Sequence, residues 1–401
     1  MKTAIIGGGA AAFFTAINTK ENFPNSEVVI FEKTNKLLSK VLISGGGRCN
    51  LTNSETSIST FSKHYPRGEK QLKKLFRTFN NQDTKNWFEI RGVELVAEQD
   101  GRMFPKSNTS QTIYDFFLHE SEKLGIKIKL KSGVNSIKQV GEKIILELNG
   151  QNLLFDKVIA CTGGSPKLEG FNWIKNLGHK IENPVPSLFT FNIPNEKITK
   201  LMGISVPNAL ISIEGTKLKK SGPLLITHWG MSGPAVLKLS SFGARLLSDK
   251  KYNFNISVSW CGESNFENIK DEVQSIIMEN NQKKLFNIRP FNFPKRLWSY
   301  LLERSDLSEE KPWGELGKKQ LNKLVQIICN DIYSVKGKTT FKEEFVTCGG
   351  ISSESINIKT MESKHIKNLY FAGEILDIDG VTGGFNFQAA WTTAFIASKL
   401  N

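Results

Sequence analysis

Thr3-Ala4-Ile5-Ile6-Gly7-Gly8-Gly9-Ala10-Ala11-Ala12, running on into Phe13, Phe14 and Ile17, is the stretch on which the fold turns. A short apolar run of strand-forming residues leads into three glycines and then into apolar residues at helical spacing, so it reads strand, tight turn, helix. Gly7, Gly9 and Ala12 fall on a G-x-G-x-x-G/A pattern. The first glycine permits the turn, the second lets a pyrophosphate approach the backbone, and the third position lets helix and strand pack closely. Ala10 and Ala11 begin the helix, whose unpaired N–H groups and partial positive charge suit phosphates. The next strand, Glu27–Phe31, ends at Glu32, 20 residues beyond Ala12. A carboxylate there accepts hydrogen bonds from adenosine ribose hydroxyls and disfavours a 2′-phosphate, which selects FAD or NAD over NADP. Lys33 beside it counts among the nucleotide contacts.

Three further glycine clusters separate these two cofactors. Lys40 and then Ser44-Gly45-Gly46-Gly47-Arg48-Cys49-Asn50-Leu51-Thr52-Asn53 form a loop that an NAD dehydrogenase does not need. In flavoproteins such a loop runs beside the isoalloxazine, where backbone amides stabilise the charge of the reduced ring. Thr162-Gly163-Gly164 follows the strand Lys157–Cys161, and the ends of such strands are where open α/β sheets bind ligands. Gly373-Glu374 closes the strand Asn368–Ala372, with Asp377 and Asp379 beyond it, and a carboxylate there suits the flavin polyol. Gly383-Gly384-Phe385-Asn386-Phe387-Gln388 opens a final helix whose N-terminus suits the negatively charged edge of a reduced flavin. The bland reading of each cluster is a glycine-rich turn with a surface carboxylate nearby.

Taken together, Gly7–Ala12, Ser44–Asn53, Thr162–Gly164, Thr227-His228-Trp229-Gly230-Met231-Ser232-Gly233-Pro234-Ala235 and Gly373–Gln388 resemble the HI0933-like flavoproteins. That group includes the BaiN and aminoacetone-oxidase types of FAD-dependent oxidoreductase. The resemblance implies an α/β fold with one tightly bound FAD. Its Rossmann-like domain would be formed by both chain ends, residues 1–187 and 338–401, interrupted by a β-barrel-like insert (188–262) and a helical subdomain (263–337). It implies adenine-end contacts at Gly7, Gly9 and Glu32 and isoalloxazine-side contacts at Lys40, Ser44, Gly45 and Asn50. Further contacts fall at Gly164, Gly373, Glu374 and 384–388. It names no single substrate, since members are linked to bile-acid dehydroxylation or aminoacetone oxidation. After Gly164 the family runs through a longer Ser/Pro/Gly-rich stretch, compressed here to Ser165–Gly170, and flavin contacts are not carried over to it.

Composition sets the rival readings. The 53 basic and 39 acidic residues give +14, which suits a nucleic-acid surface, yet the lysines are spread along the chain. An RNA-modifying flavoprotein is therefore kept as an alternative, beside a non-enzymatic nucleotide-binding protein. The five cysteines have neither C-x-x-C nor metal-ligand spacing, so no zinc site, disulfide framework or other metal is expected and a cytoplasmic setting fits. The apolar start superficially resembles a signal peptide, but its glycines and the strand that follows favour a buried β-turn-α unit; no run reaches a membrane span. FAD supplies the redox chemistry, and the protein must place a substrate C–H against N5 and manage protons. His228 is the candidate acid or base, although it serves equally as a turn residue. Arg48 suits a substrate carboxylate or the reduced flavin, and Cys49 lacks a neighbouring thiol. No second G-x-G-x-x-G follows a later strand, so NAD(P)H docks transiently, or electrons come from the substrate and leave to oxygen or a quinone; the expected partner is a small-molecule substrate.

Between the motifs, Glu69–Phe79 reads as an amphipathic helix, Asp83 as the cap of the next helix, Asp100-Gly101 as a hairpin turn, and Asn108-x-x-Gln111 as a capping box. Ile126–Leu130 and Ile144–Leu148 read as an antiparallel excursion. Strand-like runs dominate from Leu188 to Trp260, helical patterns from Phe266 to Cys329, and the sheet resumes at Phe345–Thr347.

Overall fold

A computed structural model describes residues 1–339 and 346–401. They divide into two compact units, 1–187 with the described part of 342–401, and the described part of 188–341.

The first unit is built on a parallel sheet. Strands β1 (Lys2–Ile6), β2 (Glu27–Phe31), β3 (Lys127–Lys129), β4 (Lys157–Ala160) and β5 (Leu369–Phe371) lie in the order β3-β2-β1-β4-β5. Every neighbouring pair among them is parallel, which is the doubly wound nucleotide-binding order. Ile356–Asn357 and Glu362–Ser363 extend it antiparallel beyond β5. The parallel sheet is covered on both faces, so its strands are continuously apolar rather than alternating: Ala4, Ile5, Val158, Ile159 and Tyr370 are fully buried.

Helices α1 (Ala10–Asn22), α2 (Gln111–Lys123) and α3 (Phe385–Ala397) surround that sheet. α1 from Ala11 to Thr19 and most of α3 are buried, Thr15, Asn18, Thr392 and Thr393 among them. Phe14 sits 4.3 Å from Trp87 and 5.2 Å from Trp391, ring centre to ring centre. Burying one such side chain is worth about 1.5–3 kcal/mol. At Gly373 a Cβ would lie 2.8 Å from Ala11 Cβ, so the small residues let the β5–α3 turn seat directly on α1.

Several local expectations are corrected. Ile126–Leu130 is not antiparallel: Lys127–Lys129 joins the main sheet as β3, parallel to β2. The antiparallel excursion consists of Val134–Val140, Lys143–Leu148 and Gln151–Phe155. Asp83 is not the cap of its helix. Asn80 is, its side chain accepting from the Gln82 and Asp83 N–H groups while Asp83 accepts from Asn80 N at 2.8 Å. Asn108–Gln111 forms no capping box, because the cap residue is Ser110, whose hydroxyl donates instead to Leu42 O at 2.7 Å. The hairpin at Asp100-Gly101 forms as read, pairing Leu95–Ala97 with Arg102–Pro105. Phe345 lies outside the described residues. Val346–Ile351 is a strand, paired antiparallel with Ile181–Ser187.

In the second unit seven strands follow the order Asp331–Lys336, Asn253–Ser259, Ser205–Ile213, Lys219–Thr227, Gly230–Ser232, Thr190–Asn192, Lys338–Thr339. The strands at opposite edges of that order are consecutive in the chain, with only Gly337 between them, so the sheet curls until its edges meet. Helices Phe266–Asn280, Lys295–Arg304 and Lys318–Cys329 share one apolar core with those strands, joining Ile256 and Val258 to Trp298, Trp313 and Leu324. No helix among the described residues is long and apolar enough to cross a membrane.

Candidate cofactor site

The phosphate end begins at Gly7, whose φ is +114° and whose added Cβ would meet Cys161 O at 2.4 Å. Only glycine fits between β1 and the end of β4. At Gly9 the situation is reversed: an added Cβ meets nothing within 4 Å, and α1 has neither a side-chain cap nor an acidic residue in its first turn. The backbone there is open and the helix start uncapped by any side chain, which is the arrangement a pyrophosphate needs. Glu32 stands beside this turn, accepting from Gly8 N and from the amide and hydroxyl of Thr34, each at 2.8 Å. Lys33 is exposed next to it.

The loop at Ser44 is a run of left-handed backbone. Gly45, Gly46 and Gly47 have φ of +60°, +69° and +81°, and Cys49 follows at +61°. Three consecutive residues in that region demand glycine, and the result breaks the Ser39–Gly47 helical segment at Ser44–Gly46. An added Cβ at Gly46 meets nothing within 4 Å.

This loop packs against the opening of α3. Thr52 Oγ1 donates to Gln388 Oε1 at 2.7 Å, Trp391 Nε1 donates to Leu51 O at 2.9 Å, and Asn53 Nδ2 donates to Gly383 O at 3.3 Å. A Cβ on Gly384 would lie 2.3 Å from Thr52 O. On the other side Lys40 Nζ reaches Glu374 Oε2 at 2.5 Å, and Gly163 and Gly164 lie beside the same Glu374 carboxylate. The glycine clusters at 45–47 and 383–384 meet at Thr52, those at 163–164 and 373 meet at Glu374, and the ground between them and the open backbone of Gly9 is the candidate cleft. Segments more than 300 residues apart meet there, and the residues fit an extended dinucleotide with a flavin.

Some side chains expected at the cofactor are committed elsewhere. Gln388 is fully buried, held by Thr52 and donating to Thr392 Oγ1 at 3.1 Å, so it is a strut between loop and helix. Asn386 closes the 380–386 turn by exchanging hydrogen bonds with both backbone groups of Gly380 at 2.8 and 2.9 Å. Asn50, with its amide oriented to satisfy its neighbours, donates to Thr52 O and Met103 O and accepts from Gly384 N. Arg48 donates to Glu98 at 2.7 Å and to Gly45 O, with its guanidinium over Phe104, and so braces the glycine turn. Their backbones, rather than these side chains, border the cleft. Cys49 is fully buried, which pushes its thiol up to about 12 and leaves it inert. Thr162 and Asp377 follow β4 and β5 in the chain.

His228 lies in the second unit, at the tip of the tight hairpin Thr227–Gly230. Its ring is exposed, 4.4 Å from that of Trp229. The strand Gly230–Ser232 separates this turn from the helix Pro234–Phe242.

One part of the wall was missed. Residues His64–Gly68 run alongside Ile378–Val381, with Val381 N donating to His64 O at 2.9 Å. Arg67 forms a two-pronged ion pair with the fully buried Asp379, its Nε at 2.5 Å from Oδ1, and Ser187 Oγ donates to the same carboxylate at 2.8 Å. His64 stacks on Phe385 at 4.2 Å, and Tyr65 donates to Phe385 O at 2.8 Å. The available signal was Asp379 itself, an acidic residue in an apolar loop that burial obliges to find a cation.

The description "HI0933-like protein Rossmann domain" matches residues 1–400. A 3-dehydro-bile acid delta(4,6)-reductase of Clostridium scindens is 25% identical, with 99% of this chain and 98% of that protein covered. A ribosomal RNA dihydrouridine synthase of Haemophilus influenzae is 29% identical, over 98% and 96%. The solved 3-ketosteroid delta1-dehydrogenase of Sterolibacterium denitrificans shares the fold at TM-score 0.54 and 11% identity, covering 99% of this chain and 98% of that one. The chain belongs to the HI0933-like family of Rossmann-domain flavoproteins, and is an FAD-dependent oxidoreductase.

Proposed function

We propose that the protein reduces a carbon–carbon double bond conjugated to a carbonyl group. The carrying observation is that the Ser44–Asn53 loop and the start of α3 close on each other at Thr52 and Gly384, making one end of the cleft suited to a flat ring. When bound, FAD supplies the two-electron hydride chemistry of its N5 position. Around it, Gly9 and the first turn of α1 would hold the pyrophosphate, Glu32 the ribose, and Glu374 with Lys40 the polyol stretch. The N-terminus of α3 would hold negative charge.

The choice of reaction is supported by the two curated relatives. One is named for reducing a bile acid whose double bonds extend from a ketone, the other for making dihydrouridine, which is uridine saturated beside a carbonyl. Both names describe one bond change on different substrates. A small enone is the leading substrate class here, with NAD(P)H docking transiently to deliver electrons. RNA is the second reading, favoured by the +14 charge. His228 is proposed as the proton-transferring side chain, supported by its exposure on a rigid turn.

The test is a two-step flavin experiment. Flavin bleached by NADH or NADPH should recolour on mixing with a steroid-type enone and yield the saturated product. Recolouring by uridine-containing RNA alone would transfer the assignment to the second reading, and recolouring by neither would end the proposal. His228→Gln should slow that recolouring about 10²-fold while FAD stays bound. A second expectation concerns Gly9→Ala. Its backbone, φ −96° and ψ −173°, suits alanine and its surroundings are empty, so stability should change by less than about 0.5 kcal/mol. FAD affinity should fall at least about tenfold, because the methyl occupies the pyrophosphate's approach. Unchanged affinity in a fluorescence titration would move the phosphate elsewhere.

A further inference from the structure

The middle glycine of the nucleotide turn, Gly8, has no part in the G-x-G-x-x-G/A pattern. An added Cβ there would lie 3.0 Å from both Cβ and Cγ of Glu32 and 2.7 Å from Leu37 Cδ2. The missing side chain lets the stem of Glu32 lie against the turn. Leu38 N donates to Gly8 O at 2.8 Å, so the chain after β2 folds back over the same residue.

That return segment carries Thr34, whose carbonyl accepts from Lys131 N at 2.9 Å and is thereby tied to the residues that follow β3. The Thr34 N–H and hydroxyl both donate to Glu32 Oε1 at 2.8 Å, while Gly8 N donates to Oε2 at 2.8 Å. The hydroxyl accepts in turn from Lys36 N at 3.1 Å, and its other possible acceptor, Lys36 O, is farther away at 3.2 Å. Glu32 is only partly buried and Thr34 is exposed, so these groups stand at an accessible surface and not inside packed protein. A long side chain so placed would otherwise sample several rotamers. An ionised carboxylate offers about four acceptor sites. Two donors fill Oε1 and one reaches Oε2, which leaves a site on Oε2 for a ligand hydroxyl.

We propose that Thr34 is an FAD-positioning residue: by filling Oε1 it holds the Glu32 carboxylate so that Oε2 takes one ribose hydroxyl of the adenosine end. This rests on the reading of Glu32 as the ribose ligand. Holding the carboxylate before the cofactor arrives removes an ordering cost from binding.

Thr34→Val keeps the branched shape and the N–H but removes the hydroxyl. The site is exposed, so the FAD-free protein should melt within about 2 °C of the parent. The FAD dissociation constant, read by quenching of flavin fluorescence, should rise about fivefold, or about 1 kcal/mol, the worth of one hydrogen bond. Thr34→Ser restores the hydroxyl and should bind within about twofold of the parent. In a Glu32→Ala background, Thr34→Val should change the constant by less than about 1.5-fold, because the carboxylate it holds is gone. An unchanged or lower constant in the valine variant, serine as weak as valine, or a valine effect that persists undiminished without Glu32 would each overturn the role of Thr34. If Glu32→Ala binds FAD as well as the parent does, the ribose assignment falls and the proposal with it. A parent protein that binds no FAD would overturn the cofactor site itself, a result distinct from failure of Thr34 alone.

Discussion

Arg67→Ala is expected to destabilise the protein by about 3–5 kcal/mol, the usual penalty for stranding one partner of a buried ion pair. Asp379 is fully buried and Arg67 nearly so, so solvent screening does little to soften the loss. Burial holds the Asp379 carboxyl above its ordinary value, against the lowering pull of Arg67 and Ser187. A carboxyl raised in the folded state binds more protons folded than unfolded, so stability falls as pH rises through that window. Removing Arg67 takes away a lowering influence and extends the window upward. The variant's deficit should accordingly be smaller near pH 5 than near pH 8, as denaturant midpoints at the two values would show. A loss under about 1 kcal/mol, or a deficit that grows in acid, would contradict this account. The same loop carries Gly380 and leads into Gly384, so bound FAD should also be lost.

Gly384→Ala is the second large effect. The residue has φ +88° and its Cβ would lie 2.3 Å from Thr52 O and 2.5 Å from Thr52 C. Left-handed backbone costs a non-glycine residue about 1–2 kcal/mol, and forcing apart packed backbone adds about 1–3 kcal/mol. Neither contact involves a flexible side-chain end, so the relief available is separation of the Thr52 segment from α3. The hydrogen bonds from Thr52 to Gln388 and between Asn50 and Gly384 lie on that seam. The expected result is a colourless protein with a melting temperature lowered by several degrees. Purified protein retaining stoichiometric flavin absorbance would show that the seam does not border the ring.

Much of the fold was legible because its signals are contiguous. Gly7–Ala12 and Glu32 lie within one strand-turn-helix-strand unit, and that spacing anticipates the Rossmann-like pairing of β1 with β2. The glycines at 45–47 and 384 were legible too, because left-handed backbone leaves its mark on the residue that adopts it. Side-chain partnerships were not. Arg67 finds Asp379 from 312 residues away, and nothing local distinguishes it from its exposed basic neighbours. Asn50, Asn386 and Gln388 carry groups equally able to bond a ligand or the protein, and only the packed structure shows that the two asparagines bond backbone and Gln388 bonds the Thr52 and Thr392 hydroxyls. Asn80 and Asp83 were both competent caps. The extended backbone of Asn80, φ −116° and ψ −170°, settled which one serves. Ile126–Leu130 was legible as a strand, but so short and charged a segment carries no mark of its parallel partner β2.

The meeting of Thr52 with Gly384 also bears on how the protein matures. Ribosomes release chain in order, and early segments fold first as they emerge. The nucleotide turn at Gly7 and the glycine run at 45–47 leave the tunnel long before Phe385, whose helix supplies their opposite wall. Flavin capture therefore waits until α3 has been made, and a product terminated before Phe385 would stay colourless however well its beginning had folded.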